Sequence, residues 1–342
     1  MSTVTETGTG IAWERSVSDA PVCVHAAGDL VAVAGAAGEG SVLDAETGER
    51  VGEFELPGGL LRIAVSPDGQ HVAAAGPTGY VLWRRSDGRV REVSTGAWSA
   101  AVAWAGENRL AVAAGRRALV LDADGAELWA TEPAASTVTD VAWLRQGRRL
   151  AVAAYGAVNG HERHTAKPVV SYPYVGSHLA LAVAPTGKWI CSGNQDASIH
   201  IWRTRDGSEL TMSGYPEKVS RLAFDDTGFW MASDGAADIT VWDFSGRGPA
   251  GTQPRQLRAH QKVTALAWRP GSGTQLASGG EDGTVALWHA TAGRPGALLQ
   301  PTRTFELGSA VVDLAWPDPE MLVAAGRDGL VRAQVVPDRT RL

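Results

Sequence analysis

HQKVTALAWRPGSGTQLASGGEDGTVALW, residues 260–288, decides the fold. Apolar and polar residues alternate through VTALAW (263–268), and a period of two over six residues is the mark of a half-buried strand. The turn PGSG (270–273) follows, then the small-residue run LASGG (276–280), then Asp282-Gly283 and a third alternating run, TVALW (284–288). Gly accepts positive φ and Pro presets its own φ, so the stretch reads as two hairpins in succession.

Outward from this stretch the same phrase recurs eight times. The last residue of each first strand is His25, Val65, Trp104, Trp143, Val183, Phe224, Trp268 and Trp316, at spacings of 40, 39, 39, 40, 41, 44 and 48. A period near forty is the signature of a repeat architecture. Turns such as SPDG (66–69), APTG (184–187) and DDTG (225–228) exclude a helical unit. Each unit continues into a second and third strand, as in AAAGPTGYVLW (73–83), ICSGNQDASIHIW (190–202) and MASDGAADITVW (231–242).

With these residues in view the chain resembles the WD40 repeat family. The seventh unit carries His260 before the first strand, Ser278 on the second, Asp282 in the next turn and Trp288 on the third, where the family's hydrogen-bonding set is expected. The Trp-Asp dipeptide stands only at Trp242-Asp243; elsewhere the chain has Trp83-Arg84, Trp202-Arg203 and Trp288-His289, with Leu43-Asp44 and Leu121-Asp122 in other units. The resemblance implies four strands per unit and therefore an all-β, eight-bladed WD40-type β-propeller, of the bacterial single-domain kind. The last unit ends soon after LVRAQVVP (330–337), whereas IAWERSV (11–17) is an apolar strand ahead of the first unit. We therefore expect the N-terminal strand to complete the last blade and remove an exposed edge. The expected domain runs over residues 9–337, with tails at 1–8 and 338–342. Of the 13 Trp, eight fall at repeat positions (83, 104, 143, 202, 242, 268, 288 and 316) and are expected as packing between blades.

Composition agrees. The 41 Gly and 17 Pro of 342 residues indicate many turns, and a hydrophobic fraction of 44% supplies a core. A net charge of -6 argues against a nucleic-acid partner, which needs clustered Lys and Arg. Cys23 and Cys191 are isolated in apolar runs, which excludes a disulfide framework. A polar N-terminus with Glu6, and the lack of an 18-residue apolar run, argue against a signal peptide or a membrane span and for the cytoplasm. Four Lys against 27 Arg fit a GC-rich bacterial genome.

No GxGxxG, GxxxxGKS, HExxH or GxSxG occurs, so neither an enzyme nor a cofactor is expected. In the fourth unit His161 and His164 flank Glu162 where an apolar residue and a Trp are due; two imidazoles make only a partial metal site, and no third ligand is evident. The connections into first strands and the turns between second and third strands share one face. Tyr172, Tyr174, Asn194, Gln195, Asp196, Tyr215 and Lys218 are placed there and form the expected protein-binding surface, with tyrosines as anchors. Asp196 is also expected to join Ser192 and Trp202 in a set like that of the seventh unit. The opposite face carries the Gly/Pro-rich connections 245–256 and 290–304, with Arg255 and Arg294 as solvated charges that could meet an acidic partner. The expected function is a non-catalytic scaffold for a protein partner; a metal or small molecule in the channel or at the His161/His164 rim is the competing reading.

Overall fold

A computed structural model describes residues 10–235 and 237–337 of the chain; the tails expected at 1–8 and 338–342 lie outside the described residues. Eight sheets follow one another along the chain, one for each repeat unit, with the four strands of each unit paired antiparallel. Blade 1 is Pro21–Ala27, Leu30–Gly35, Glu39–Asp44 and Arg50–Glu55. Blades 2 to 7 occupy 62–94, 99–130, 138–174, 178–212, 222–258 and 263–306, and blade 8 takes 311–335. First strands touch the first strands of both neighbours, and Val311–Asp318 touches Pro21–Ala27, so the ring is closed. This is an eight-bladed β-propeller.

Closure follows the sequence expectation. Ile11–Ser16 pairs antiparallel with Leu330–Val335 as the outermost strand of blade 8. Trp13, 5% exposed, reaches into blade 1 and donates its indole N–H to the Ala45 carbonyl at 2.8 Å.

Side-chain size follows position in the blade. Second strands are pressed by neighbours on both faces, so Leu30–Gly35 is buried at every residue and is built from Leu, Val, Ala and Gly. The outer strand Val90–Ser94 is almost wholly exposed and carries Arg and Glu. Core clusters lie between blades, as where Trp288 of blade 7 packs with Ile239 and Val241 of blade 6. The tryptophans that end first strands do more than fill space. Trp104, Trp143, Trp268 and Trp316 each donate their indole N–H to a carbonyl of the preceding blade, that of Ala64, Ala103, Ala223 or Ala267, at 2.9–3.1 Å. Arg109 and Arg269 lie over the Trp143 and Trp316 rings at 5.5 and 5.6 Å. The same seam position is thus polar at one end and apolar at the other, which suits Trp.

One expectation about the loops fails. The connection 290–304 does not run free: Leu298–Leu299 crosses to blade 6 and pairs in parallel with Gln256 and Leu257 as a fifth strand. Arg255 is accordingly 7% exposed, its guanidinium 4.6 Å from the Trp230 ring centroid and bonded to the Ala292 and Gly293 carbonyls at 3.0 Å each. It is a clasp between blades 6 and 7 and not a surface charge. Arg294 is exposed.

Candidate interaction face

Blade 7 shows how a blade closes its upper edge. The Ser278 hydroxyl, fully buried, meets His260 Nε2 at 2.7 Å and accepts the Trp288 indole N–H at 2.8 Å. Asp282 accepts the backbone N–H groups of Thr284 at 2.9 Å and Gln261 at 3.3 Å, while its carboxylate stands 3.6 Å from His260 Nδ1, beyond a hydrogen bond. Ser278 is therefore the node. Burial lowers the His260 pKa against the opposing pull of Asp282, which favours the neutral ring.

Blade 6 solves the same problem with a tyrosine. Tyr215 enters four residues ahead of Val219, and its hydroxyl meets Thr240 Oγ1 at 3.0 Å and Ser233 Oγ at 3.3 Å and accepts the Trp242 indole N–H at 3.1 Å. Gly235, at φ +135, leaves the space that the Tyr215 ring occupies. Tyr215 does here what His260 does in blade 7, so its polar tip is spent inside the blade. A groove of about 570 Å³, lined by Tyr215, Pro216, Trp242 and Pro254 among others, opens beside it.

Blade 5 departs further. Tyr174 is half-buried, its ring 4.0 Å from the His200 ring centroid and 5.4 Å from that of His178. Burial and the negative charge of Asp196 push its phenol up to about 12. Asp196 does not join Ser192 and Trp202: it accepts the Ser198 hydroxyl at 2.6 Å, and Ser192 donates to Asn194 Oδ1 at 3.1 Å. The Trp202 indole N–H has no hydrogen-bond partner among the described residues. His178, 1% exposed between these rings, has its pKa lowered to about 4 by burial.

Two of the expected surface residues are therefore withdrawn from it. Tyr172 is 1% exposed and packs on Trp202, with 5.9 Å between ring centroids. Asn194 is fully buried, its amide bonded to the Ser192 carbonyl at 3.1 Å and to Ser198 at 3.3 Å. Gln195, Asp196 and Lys218 are exposed. The histidine pair also separates. His161 is 4% exposed with Nδ1 against the Thr165 carbonyl, whereas His164 sits on an exposed turn at φ 62. Among the described residues no three His, Cys, Asp or Glu side chains converge on a point that could hold a metal ion.

The sequence reading missed the most exposed large apolar side chains of this face. Trp98 (58% exposed) lies in the connection entering blade 3, Tyr155 (53%) in the turn between the second and third strands of blade 4, and Val175 (84%) in the connection entering blade 5. All three belong to one face and to consecutive blades. Hydrogen bonds hold two of these loops: the Trp98 carbonyl accepts the Gly115 N–H at 2.7 Å, and the Tyr155 N–H donates to Ser136 Oγ at 2.9 Å. Other exposed large apolar residues lie along or beside outer strands, as Val51 and Leu128 do, or, for Phe229, in a turn of the opposite face. A signal for Trp98 was present in the sequence, since an indole outside the forty-residue period and inside a turn has no packing role to play.

The family model described as "WD domain, G-beta repeat" matches residues 170–203 and 251–289, which run from the outer strand of one blade through the third strand of the next. Two of the repeat units thus match the WD40 repeat model. The C-terminal WD40 domain of Sif2 superposes with a TM-score of 0.75 at 14% identity, over 96% of this chain and 99% of that one. The computationally designed Ika8 protein gives a TM-score of 0.77 at 21% identity, over 94% and 98%. Among curated proteins, a "Periodic tryptophan protein 2 homolog" of Schizosaccharomyces pombe is 32% identical over 35% of this chain and 14% of its own length. "Cell division cycle 20.5, cofactor of APC complex" of Arabidopsis thaliana is 26% identical over 64% of this chain and 50% of its own length. "Small ribosomal subunit protein RACK1y" of Oryza sativa subsp. japonica is 24% identical over 32% and 33%. The chain thus spans half or less of the length of these relatives. No helix among the described residues is long and apolar enough to cross a membrane.

Proposed function

We propose that the protein is a non-catalytic interaction scaffold whose binding surface is the face of blades 3 to 5. Its anchors are Trp98, Tyr155 and Val175, with Tyr174, Gln195 and Lys218 at the margin. The observation that carries this reading is the presence of three exposed large apolar side chains in loops on one face of neighbouring blades. Exposed Trp and Tyr supply large, stiff contact area and are the residues that dominate interface energies. Two similar proteins carry names of assembly components, a cofactor of the APC complex and a small ribosomal subunit protein, which is in keeping with a scaffold. The partner is a protein; neither nucleic acid, with the chain at a net charge of -6, nor membrane is proposed.

The test places a photo-crosslinking amino acid at position 98, 155 or 175 and, as controls, at 229 or 294 on the opposite face. The three upper positions should capture the same protein from the native cell extract, and the controls should not. Trp98→Ala and Tyr155→Ala should each weaken that complex by about 2 kcal/mol, some thirtyfold, at an unchanged melting temperature. Capture from the control positions alone would reject the assignment.

A further inference from the structure

Trp83, Trp202, Trp242 and Trp288 hold the same place on the third strands of blades 2, 5, 6 and 7, paired with Val72, Ile190, Met231 and Leu276. Three of them are buried under the outer strand of the preceding blade: Gly52 lies against the Trp83 ring, Tyr172 packs on Trp202 and Leu257 packs with Trp288. Of the four, only Trp242 is half-buried. The outer strand ahead of it, Glu209–Met212, turns Leu210 and Met212 inward and then gives way to Ser213 and Gly214, too small to cover an indole. The seam between blades 5 and 6 stays open there, and the opening is the groove of about 570 Å³ beside Tyr215, within the size range of ligand-binding clefts.

The floor of the groove is the face of blade 6 that carries Asp238, Thr240 and Trp242 and, on the outer strand, Gln256 and Arg258, while Tyr215, Pro216 and Pro254 wall it. From Asp238 to Trp242 it runs about 13 Å along the strand. The acceptors of this floor are engaged. The Asp238 carboxylate takes Nε and Nη2 of Arg258 at 2.7 and 2.6 Å. Thr240 Oγ1 meets Ser233 Oγ at 2.6 Å and the Tyr215 hydroxyl at 3.0 Å, and it accepts the Trp242 indole N–H at 3.1 Å. Donors remain at the rim, in Nη1 of Arg258 and the side-chain amide of Gln256, both on exposed residues. The backbone is engaged as well. Asp238–Asp243 is paired on both sides, and Leu298–Leu299 covers Gln256 and Leu257 at the outer edge, so a chain cannot enter here by strand addition.

We propose that this groove takes a proline-rich segment of a protein partner, in the extended polyproline II form. Such a chain presents apolar rings, which fit the open faces of Tyr215 and Trp242, and carbonyl oxygens without N–H donors, which call on the donors that the rim keeps and on none of the acceptors that the floor has engaged. Its backbone needs no strand partner, and about four residues at ~3.1 Å each span the floor. The groove is a second surface, beyond the face of blades 3 to 5.

Fluorescence polarisation of fluorescein-labelled decaproline, titrated with the full chain, tests this, with labelled (Gly-Ser)5 as the length-matched flexible control. Decaproline should bind saturably with a Kd below about 1 mM, and at least about tenfold more tightly than (Gly-Ser)5. Trp242→Leu, which removes the indole face, should weaken that binding at least about tenfold. Gln256→Glu, on an exposed side chain, turns the donor into a charged acceptor and should do the same, which keeps the test open should Trp242→Leu fail to fold. Arg294→Gln should change nothing. Decaproline binding no tighter than that of (Gly-Ser)5, binding that survives Gln256→Glu undiminished, or an equal loss in Arg294→Gln overturns the proposal.

Discussion

Ser278→Ala should be among the most damaging one-atom deletions in the protein. The hydroxyl is fully buried and serves two partners that have nowhere else to go: it accepts the indole N–H of Trp288, 1% exposed, at 2.8 Å, and meets Nε2 of His260, 5% exposed, at 2.7 Å. Water cannot replace the lost partner at either atom. An orphaned buried donor or acceptor costs about 1–3 kcal/mol, and removing the hydroxyl returns part of its own desolvation cost, so the net loss for the two atoms should be about 2–4 kcal/mol. Urea unfolding followed by both tryptophan fluorescence and circular dichroism reads this as a lower midpoint at an unchanged slope. A double-mutant cycle with His260→Ala should then show a coupling of about 1 kcal/mol or more, because the two changes remove one shared bond. The corresponding cycle between His260 and Asp282, 3.6 Å apart, should show much less. A Ser278→Ala loss below about 0.5 kcal/mol, or strict additivity with His260→Ala, would refute the node.

Acid should weaken the fold through His178. Its folded pKa of about 4 lies below the unfolded value near 6.5, so the unfolded chain takes up the proton first and stability falls as pH drops from about 6.5 to 4, by about 3 kcal/mol from this residue. His178→Phe should flatten that dependence; an equally steep profile would place the acid sensitivity elsewhere. Arg255→Ala should cost about 2 kcal/mol or more in thermal or urea unfolding, since it loses two carbonyl bonds and the Trp230 ring, whereas Arg294→Ala should fall within about 0.5 kcal/mol of the parent. Deletion of residues 1–17 should leave Leu330–Val335 as an open edge and produce aggregation on size-exclusion chromatography; a soluble truncation with a single cooperative melt would count against closure by that strand.

The fold was legible because its evidence is local. Strand alternation, Gly-bearing turns and the roughly forty-residue recurrence of first-strand ends, four of them at Trp104, Trp143, Trp268 and Trp316, all survive in one dimension. The site was not, and the tyrosines show why. SYPY (171–174) reads as loop, yet its alternation is that of an outer strand with Tyr172 and Tyr174 facing inward and Ser171 and Pro173 outward. The role of Tyr215 depends on Ser233 and Thr240, 18 and 25 residues further on, and nothing next to it in the chain announces them. The fifth strand of blade 6 rests on two residue pairs inside a segment, GRPGALLQP (293–301), whose composition is that of any loop. Trp98 was readable as an aromatic out of register, but only by asking what its position left it free to do.

The strand that completes blade 8 sets how late in synthesis the ring can close. Glu14 of this strand meets Arg332, 318 residues later, and Trp13 fits against Ala45 in blade 1. A ribosome adding about 5–20 residues per second leaves Ile11–Ser16 without its neighbour for roughly 15–60 s, while blades 1 to 7 emerge and pack in order. During that interval the nascent chain is an open arc in which Ile11–Ser16 and its Trp13 lack their partner strand. Chaperone binding to ribosome-bound chains should therefore concentrate on residues 11–17 and cease abruptly once Leu330–Val335 clears the exit tunnel.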